Sequence, residues 1–298
     1  MAGAGYNQDV AKNPSNGDPN IKPDMEPDMG RPRKGKSGIH YEVHGEGPDL
    51  VMLRGLGRNM KHWLGFDRLA AKHFKTITID ARGLGQTQRG MGITDTIYDL
   101  ADDVVRVLDD LKCDKSHVMG ISLGGMVAMA MGIKHPGRTS SMVIVNSSIA
   151  GSGHRRLSAA ASLLLLRAVA LGPAIYGDLA RLLLGPEAPL ELQKKVAREW
   201  LKIDQTMKVA PGLILKQILA ASRFRVREDL GGIEIPSLVL FGKGDQFVPH
   251  ANSLLIASLI PGSKLVGIEG GGHELTLDRP VQALAEIRKF IKASEANA

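Results

Sequence analysis

Short apolar runs alternate with amphipathic segments along most of the chain. Between the runs, hydrophobic residues recur at spacings of three and four, as at Leu100, Val104, Leu108 and Leu111, which predicts helices. Strands that alternate with helices indicate βαβ units. We therefore expect an α/β fold with a mostly parallel central sheet of about eight strands flanked by helices. The runs that predict strands are Ile39–His44, Leu50–Leu53, Phe74–Ile79, His117–Met119, Met142–Val145, Leu238–Phe241 and Lys264–Ile268.

The alternation stops between two of the predicted strands. Residues 149–235 show only helical spacing, interrupted by glycine and proline. We predict that they form a helical cap inserted into a core made of residues 37–148 and 236–298. Such an insertion at the carboxyl end of a parallel sheet lies where ligands bind. The cap is rich in leucine, and these side chains can pack on the core or line an apolar acyl or aryl pocket.

Residues 1–36 are rich in Pro, Asn, Asp and Gly and nearly free of large apolar groups. Such a composition buries too little surface to offset the entropy of ordering, so we expect a flexible tail. A second possibility is an arm that joins subunits of a homo-oligomer.

The net charge of +7 arises mainly in the predicted cap, where 13 Lys and Arg face 8 Asp and Glu. Aromatic residues are not interleaved with these cations, so we interpret them as a solvated helical surface and expect no nucleic-acid partner. Steering of anionic substrates, or loose contact with acidic lipid, is the alternative.

Cysteine and long apolar segments are scarce. A single cysteine, Cys113, excludes an internal disulfide framework, and charged residues interrupt the most apolar stretch, Leu157–Leu184. We expect a cytoplasmic protein without an integral membrane segment.

The sharpest motif is the run Gly120-Ile121-Ser122-Leu123-Gly124-Gly125. It follows a predicted strand and precedes an apolar helix, which is the context of the G-x-S-x-G nucleophile elbow. The serine of this motif has a strained backbone, and side chains two residues before or after it would clash. Ser122 is therefore the candidate nucleophile.

A serine nucleophile needs a base, and the base needs an orienting acid. His273 follows three glycines after the strand that ends at Ile268, where a loop can present its imidazole. Asp245 lies just beyond the strand that ends at Phe241. The order Ser122, Asp245, His273 is the Ser…Asp…His order of this motif set. The backbone amides of Leu56 and Leu123 are the candidate oxyanion donors.

From about Ile39 to Ala293, apart from most of the cap, the chain resembles a cap-bearing α/β-hydrolase. Four segments carry the resemblance: Gly120 to Gly125, Asp80 to Gly85, Gly242 to Pro249, and Gly270 to His273. No metal-ligand spacing is present, and Gly83-Leu84-Gly85 lacks the third glycine of a dinucleotide site, so we expect neither a metal nor a cofactor.

One departure from that family concerns the oxyanion loop. Where the common family has His-Gly, this chain has Arg54-Gly55. With Gly92-Ile93-Thr94 and Asp102-Asp103, this form resembles the branch of aclacinomycin-methylesterase-like serine esterases. Arg54 is either a structural cation paired with an acid such as Asp80, or a source of positive potential near the oxyanion.

The expected activity is hydrolysis of a small carboxylic ester through an acyl-enzyme. Hydrolysis of a lactone, a thioester or a carbon–carbon bond on the same triad is the first alternative. A non-catalytic ligand binder on the same fold is the second.

Overall fold

The computed structural model describes residues 33–34, 36–151, 163 and 175–296. Their centre is an eight-stranded sheet with the order β1-β2-β4-β3-β5-β6-β7-β8. The six strands from β4 to β8 pair in parallel, while β2 runs antiparallel to both of its neighbours. The predicted α/β fold is confirmed. The strands are β1 (Arg33–Lys34), β2 (His40–His44), β3 (Asp49–Leu53), β4 (Lys75–Ile79), β5 (Ser116–Ile121), β6 (Thr139–Val145), β7 (Ser237–Gly242) and β8 (Lys264–Ile268).

Helices cover both faces of the sheet. Along β3, Val51 packs against the cluster that includes α2 and α3, while Leu50 and Met52 pack against the opposite cluster with α9. Because both faces are covered, the parallel strands are almost continuously apolar. The α-helices of the described residues are α1 (Phe66–Ala70), α2 (Ile97–Asp110), α3 (Leu123–Lys134), α4 (Tyr176–Leu183), α5 (Leu190–Thr206), α6 (Pro211–Arg223), α7 (Ala251–Leu259), α8 (Leu275–Asp278) and α9 (Pro280–Ala296).

Sequence periodicity placed most strand bounds within a few residues. The main difference is β6, which begins at Thr139 rather than Met142 because polar Thr139 and Ser141 are buried within the ladder. Within the segment predicted as a tail, Arg33–Lys34 pairs with β2 as a two-residue edge strand. The rest of that segment, apart from Lys36, lies outside the described residues.

Between β6 and β7 the described chain is helical, with α4, α5 and α6. Ala180, Leu183 and Trp200 of α4 and α5 form a small apolar cluster with Phe247 and Val248, which follow β7. The cap bounds of 149–235 stay a prediction, because residues 152–162 and 164–174 lie outside the described part. Among the described helices, none is both long and apolar enough to cross a bilayer.

Candidate active site

Ser122 sits in the sharp turn between β5 and α3. Its φ of 57° and ψ of −116° lie outside the regions that L-residues normally occupy. A Cβ at Gly120 would lie 2.0 Å from the carbonyl oxygen of Gly124, and a Cβ at Gly124 would lie 2.4 Å from that of Leu53. The glycines are therefore required for the close approach of β5, α3 and the end of β3.

His273 and Asp245 meet beyond the carboxyl ends of β7 and β8. The His273 Nδ1 atom lies 2.8 Å from Asp245 Oδ2, and their side chains are only 5% and 1% exposed. Asp245 Oδ1 accepts hydrogen bonds from the amides of Phe247 and Val248. Asp245 thus accepts hydrogen bonds from two backbone amides while its other oxygen contacts the imidazole. The structure thus brings together the predicted acid and base.

The loop that carries His273 is held by a residue that sequence analysis did not select. Asn146, at the end of β6, donates from Nδ2 to the carbonyl oxygens of Gly272 and His273 at 2.9 and 2.8 Å. Its Oδ1 accepts from the Gly242 amide at 3.0 Å. Asn146 is buried and has a φ of 45°, a conformation that asparagine tolerates better than most residues. It therefore joins the ends of β6, β7 and the histidine loop.

Asp278 joins the same loop to the segment after α4. Its Oδ2 accepts hydrogen bonds from the amides of Gly272 and Gly185, both at 2.7 Å. Burial raises the pKa of Asp278, although these two amides act against that rise. The Glu274 amide donates to the Leu183 carbonyl at 2.8 Å, so α4 is docked directly on the histidine loop.

The predicted oxyanion loop lies against the serine. A Cβ at Gly55 would lie 3.2 Å from the Cβ of Ser122. Leu123 begins α3, and neither its amide nor that of Leu56 has a hydrogen-bond acceptor among the residues that the structure describes. Two unpaired amides beside a candidate nucleophile are what an oxyanion site requires.

Arg54 does not pair with Asp80, as one of the two sequence interpretations suggested. Its Nη2 atom donates to both carboxylate oxygens of Glu274 at 2.8 Å, and both side chains are buried. Asp80 instead accepts from the Met60 and Gln86 amides and contacts His40. The prediction named the wrong acid because the true partner lies on a loop distant in sequence.

The Arg54–Glu274 pair lies within a larger cluster. The guanidinium of Arg54 lies 4.7 Å from the ring centroid of Trp63, and that of Arg58 lies 3.9 Å from the centroid of Trp200. Burial alone would raise the pKa of Glu274, but the charges of Arg54 and Arg58 bring it below its ordinary value. The cluster thus places cations next to the histidine loop.

Several residues of this site have weak sequence signals. Arg54 and Arg58 are charged residues in a glycine-rich turn after an apolar strand, and Glu274 is an acid directly after the candidate base. Such placements are unusual for solvated charges, yet they do not reveal which partners meet. Among the described residues, no group of His, Cys, Asp and Glu is arranged to hold a metal ion. Cys113 is buried, and burial raises its pKa to about 11.

Comparison with known proteins agrees with the fold. The model of the α/β-hydrolase fold family matches residues 48–280. Proteins named carbamate hydrolase RutD are similar over most of the chain. The one from Agrobacterium fabrum is 29% identical over 251 residues, covering 81% of this chain and 94% of its own. The one from Azorhizobium caulinodans is 31% identical over 252 residues, covering 83% and 92%.

A solved structure described as "Est816 as an N-Acyl homoserine lactone degrading enzyme" superposes with a TM-score of 0.69. It is 28% identical, and the match covers 85% of this chain and 97% of that one. These comparisons do not confirm the narrower resemblance to aclacinomycin-methylesterase-like enzymes, which stays a prediction.

Proposed function

The chain belongs to the α/β-hydrolase fold family, and we propose that within it the protein is a serine hydrolase of carboxylic esters. The observation that carries this proposal is the pairing of His273 with the buried Asp245 side chain in a loop beyond the sheet, in the same molecule as a strained serine turn at Ser122. Strain of this kind is characteristic of functional positions.

In the proposed reaction, Nε2 of His273 takes the proton of the Ser122 hydroxyl as the oxygen attacks the ester carbonyl. Asp245 holds the imidazole and stabilises its charged form. The protonated His273 then gives its proton to the leaving alcohol, so that an acyl-enzyme forms. Water, deprotonated by the same base, adds to the acyl-enzyme and releases the acid.

The negative charge of the tetrahedral intermediate is assigned to the amides of Leu56 and Leu123. This assignment is supported by the absence of competing acceptors for the two amides among the described residues and by the closeness of Gly55 to Ser122. Removal of one such donor in a serine hydrolase typically costs a factor of about 10² to 10³ in kcat.

Carbamate hydrolysis is the second candidate, because relatives of 29% and 31% identity are named carbamate hydrolase RutD. A carbamate carbonyl accepts the same serine attack, and its leaving group needs the same proton. Lactone hydrolysis gains support from the 28% identical structure named as a lactone-degrading enzyme. Thioester and carbon–carbon bond hydrolysis have no such specific support.

The test combines active-site labelling with a substrate panel. We expect a fluorophosphonate probe to label the wild-type protein but not Ser122→Ala. The matched control is Ser222→Ala, which removes an exposed serine hydroxyl of α6 that donates to the Leu219 carbonyl. Absence of wild-type labelling, or equal labelling of Ser122→Ala, would overturn the proposal and favour a non-catalytic ligand binder.

The substrate panel then separates the candidate reactions. It contains p-nitrophenyl butyrate, p-nitrophenyl N-methylcarbamate and an N-acyl homoserine lactone. We expect the highest kcat/KM for the ester. A higher value for the carbamate or the lactone would replace ester hydrolysis with that reaction.

The assignment of residues 149–235 to a cap over this site is part of the same proposal. Its support is the docking of α4 on the histidine loop through the Leu183 carbonyl and the Gly185 amide. A tail or subunit-joining arm at residues 1–36, a homo-oligomer and a cytoplasmic location stay predictions.

A further inference from the structure

The loop after β3 carries more buried hydrogen-bond donors than the described residues can satisfy. The Nη2 atom of Arg54 donates to Glu274, while its Nε and Nη1 atoms are buried and have no acceptor in the described part of the chain. Buried donors in folded proteins are nearly always paired. A surplus at one place therefore points to an acceptor beyond the described residues, such as a bound ligand.

Arg58 adds a second cation to this loop. Its side chain is only 9% exposed and stacks on Trp200, yet no carboxylate among the described residues lies within ion-pair distance of it. Burial lowers the pKa of Arg58 to about 10, and the charge of Glu274 acts against that fall. Among the described residues, Arg54 is paired with a carboxylate at ion-pair distance and Arg58 is not. A buried charge of this kind is unfavourable unless an anion joins it.

Gln217 of α6 also contributes an unpaired buried donor. Its Oε1 accepts a hydrogen bond from the Gly57 amide at 2.8 Å, which fixes the orientation of the carboxamide. Its Nε2 is buried and has no acceptor among the described residues, and the side chain is fully buried. A neutral donor of α6 thus lies against the loop that carries Arg58.

These donors adjoin the candidate reaction centre. Gly55, in the same loop, approaches Ser122, and Glu274 directly follows His273. A largely apolar cavity beside the loop is lined by Arg54, Arg58 and Leu123, the last of which supplies a candidate oxyanion amide. Asp103 also lines it, but its carboxylate pairs with Arg82 and Arg106. An anionic group held here would belong to the molecule that reacts at Ser122.

We propose that Arg58 is a specificity-determining residue that binds a carboxylate group carried on the acyl part of the substrate, with Gln217 as an additional donor. This inference rests on the proposed ester hydrolysis and names its substrate class as anionic esters. Hydrogen bonds to a charged guanidinium in a desolvated site change affinity by a factor of about 10 to 100.

The test compares two esters of equal acyl length, mono-p-nitrophenyl glutarate and p-nitrophenyl pentanoate. The wild-type protein is expected to have the higher kcat/KM for the glutarate. Arg58→Met should lower kcat/KM for the glutarate about 10- to 100-fold and that for the pentanoate less than about threefold. Arg58→Lys keeps the charge but loses the planar donor fork, so its kcat/KM for the glutarate should lie between those of the wild type and Arg58→Met.

The matched control is Lys61→Met, which removes a half-exposed cation three residues away whose ammonium pairs with Glu42. The ratio of its kcat/KM for the glutarate to its kcat/KM for the pentanoate should equal that of the wild type. The inference would be overturned by a wild-type glutarate-to-pentanoate ratio of kcat/KM near one. It would also be overturned if Arg58→Met lowered kcat/KM equally for both esters, because Arg58 would then serve only to pack on Trp200.

A binding measurement keeps the inference separate from the chemistry and from variant folding. Glutarate should inhibit wild-type hydrolysis of p-nitrophenyl pentanoate competitively, whereas neutral glutaramide should not. If neither ester is turned over, calorimetry of glutarate binding to Ser122→Ala tests whether the anion site exists. Binding that Arg58→Met abolishes supports the anion site although ester hydrolysis has failed, and absence of binding overturns it.

Discussion

The carboxylate of Glu274 accepts two hydrogen bonds of 2.8 Å from one nitrogen of Arg54, although the two residues are 220 positions apart. The pair joins the loop after β3 to the residue that follows the candidate base. It thereby connects the oxyanion side of the site with the histidine side through buried charges.

Replacement of Glu274 by glutamine should destabilise the protein by about 3–5 kcal/mol, because the buried guanidinium of Arg54 would lose its carboxylate partner. Urea unfolding at pH 7 measures the change. The control is Glu269→Gln, which removes an exposed carboxylate paired with Lys243 and should cost less than about 0.5 kcal/mol. Similar losses in the two variants would contradict a structural role for the buried pair.

The difference in unfolding free energy between the wild type and Glu274→Gln should depend on pH. The pKa of Glu274 is lowered in the folded protein, so the unfolded chain binds the proton more readily. The stabilisation is therefore present above the ordinary carboxyl pKa of 4.5 and is lost as the pH falls through the folded value. The gap in unfolding free energy between wild type and Glu274→Gln should narrow below about pH 4.5.

Asn146 should act as a positioning residue for His273. Asn146→Ala removes its three hydrogen bonds and places alanine at a φ of 45°, so we expect kcat for an active ester substrate to fall about 10- to 100-fold. Asn146→Gly removes the same bonds without the backbone strain. The two variants should share the loss of kcat while Asn146→Gly has the higher melting temperature. A kcat of Asn146→Ala above half the wild-type value would refute the positioning role.

Gly124→Ala should destabilise the protein although it lies in helix α3. In an ordinary helix this substitution gains about 1 kcal/mol, but here the new Cβ would lie 2.4 Å from the Leu53 carbonyl oxygen. We expect a loss of soluble protein or a clear fall in melting temperature, together with loss of activity. Gly137→Ala is the control, because its Cβ would meet no atom within 4 Å. Equal melting temperatures for the two variants would disprove the close contact.

His62 should remain neutral well below the usual pH of histidine protonation. Burial is the main cause of its lowered pKa, and the charges of Arg58 and Arg54 add to it. Because the folded protein resists protonation, stability is present above about pH 6.5 and falls as the pH drops below that value.

Imidazole chemical shifts measured from pH 7.5 to 5 by nuclear magnetic resonance test this. We expect no titration of His62 in the wild type and an upward shift of its pKa in Arg58→Met. Arg106→Met, which removes a cation of α2 paired with Asp103, should leave His62 unchanged. A His62 that titrates normally in the wild type would contradict the burial and the proximity of Arg58.

The amino-acid sequence determined the elements and the serine turn, because the signals for both are local. Strand β5, the elbow and helix α3 are contiguous, so glycine spacing and hydrophobic periodicity predict them together. Asp245 and His273 follow from the same logic, since each directly follows a strand whose carboxyl end must reach the ligand-binding edge.

Only the tertiary structure decided which charged residues meet. The pairing of Arg54 with Glu274 rather than Asp80, and the three bonds from Asn146, depend on loops that converge from distant parts of the chain. The stacking of Arg58 on Trp200, and the burial of Gln217 Nε2 without an acceptor among the described residues, depend on how α5 and α6 pack on the loop after β3. A hydrophobicity pattern records whether a position is apolar. It does not record the partner of a buried charge, because that partner is chosen by distance in space.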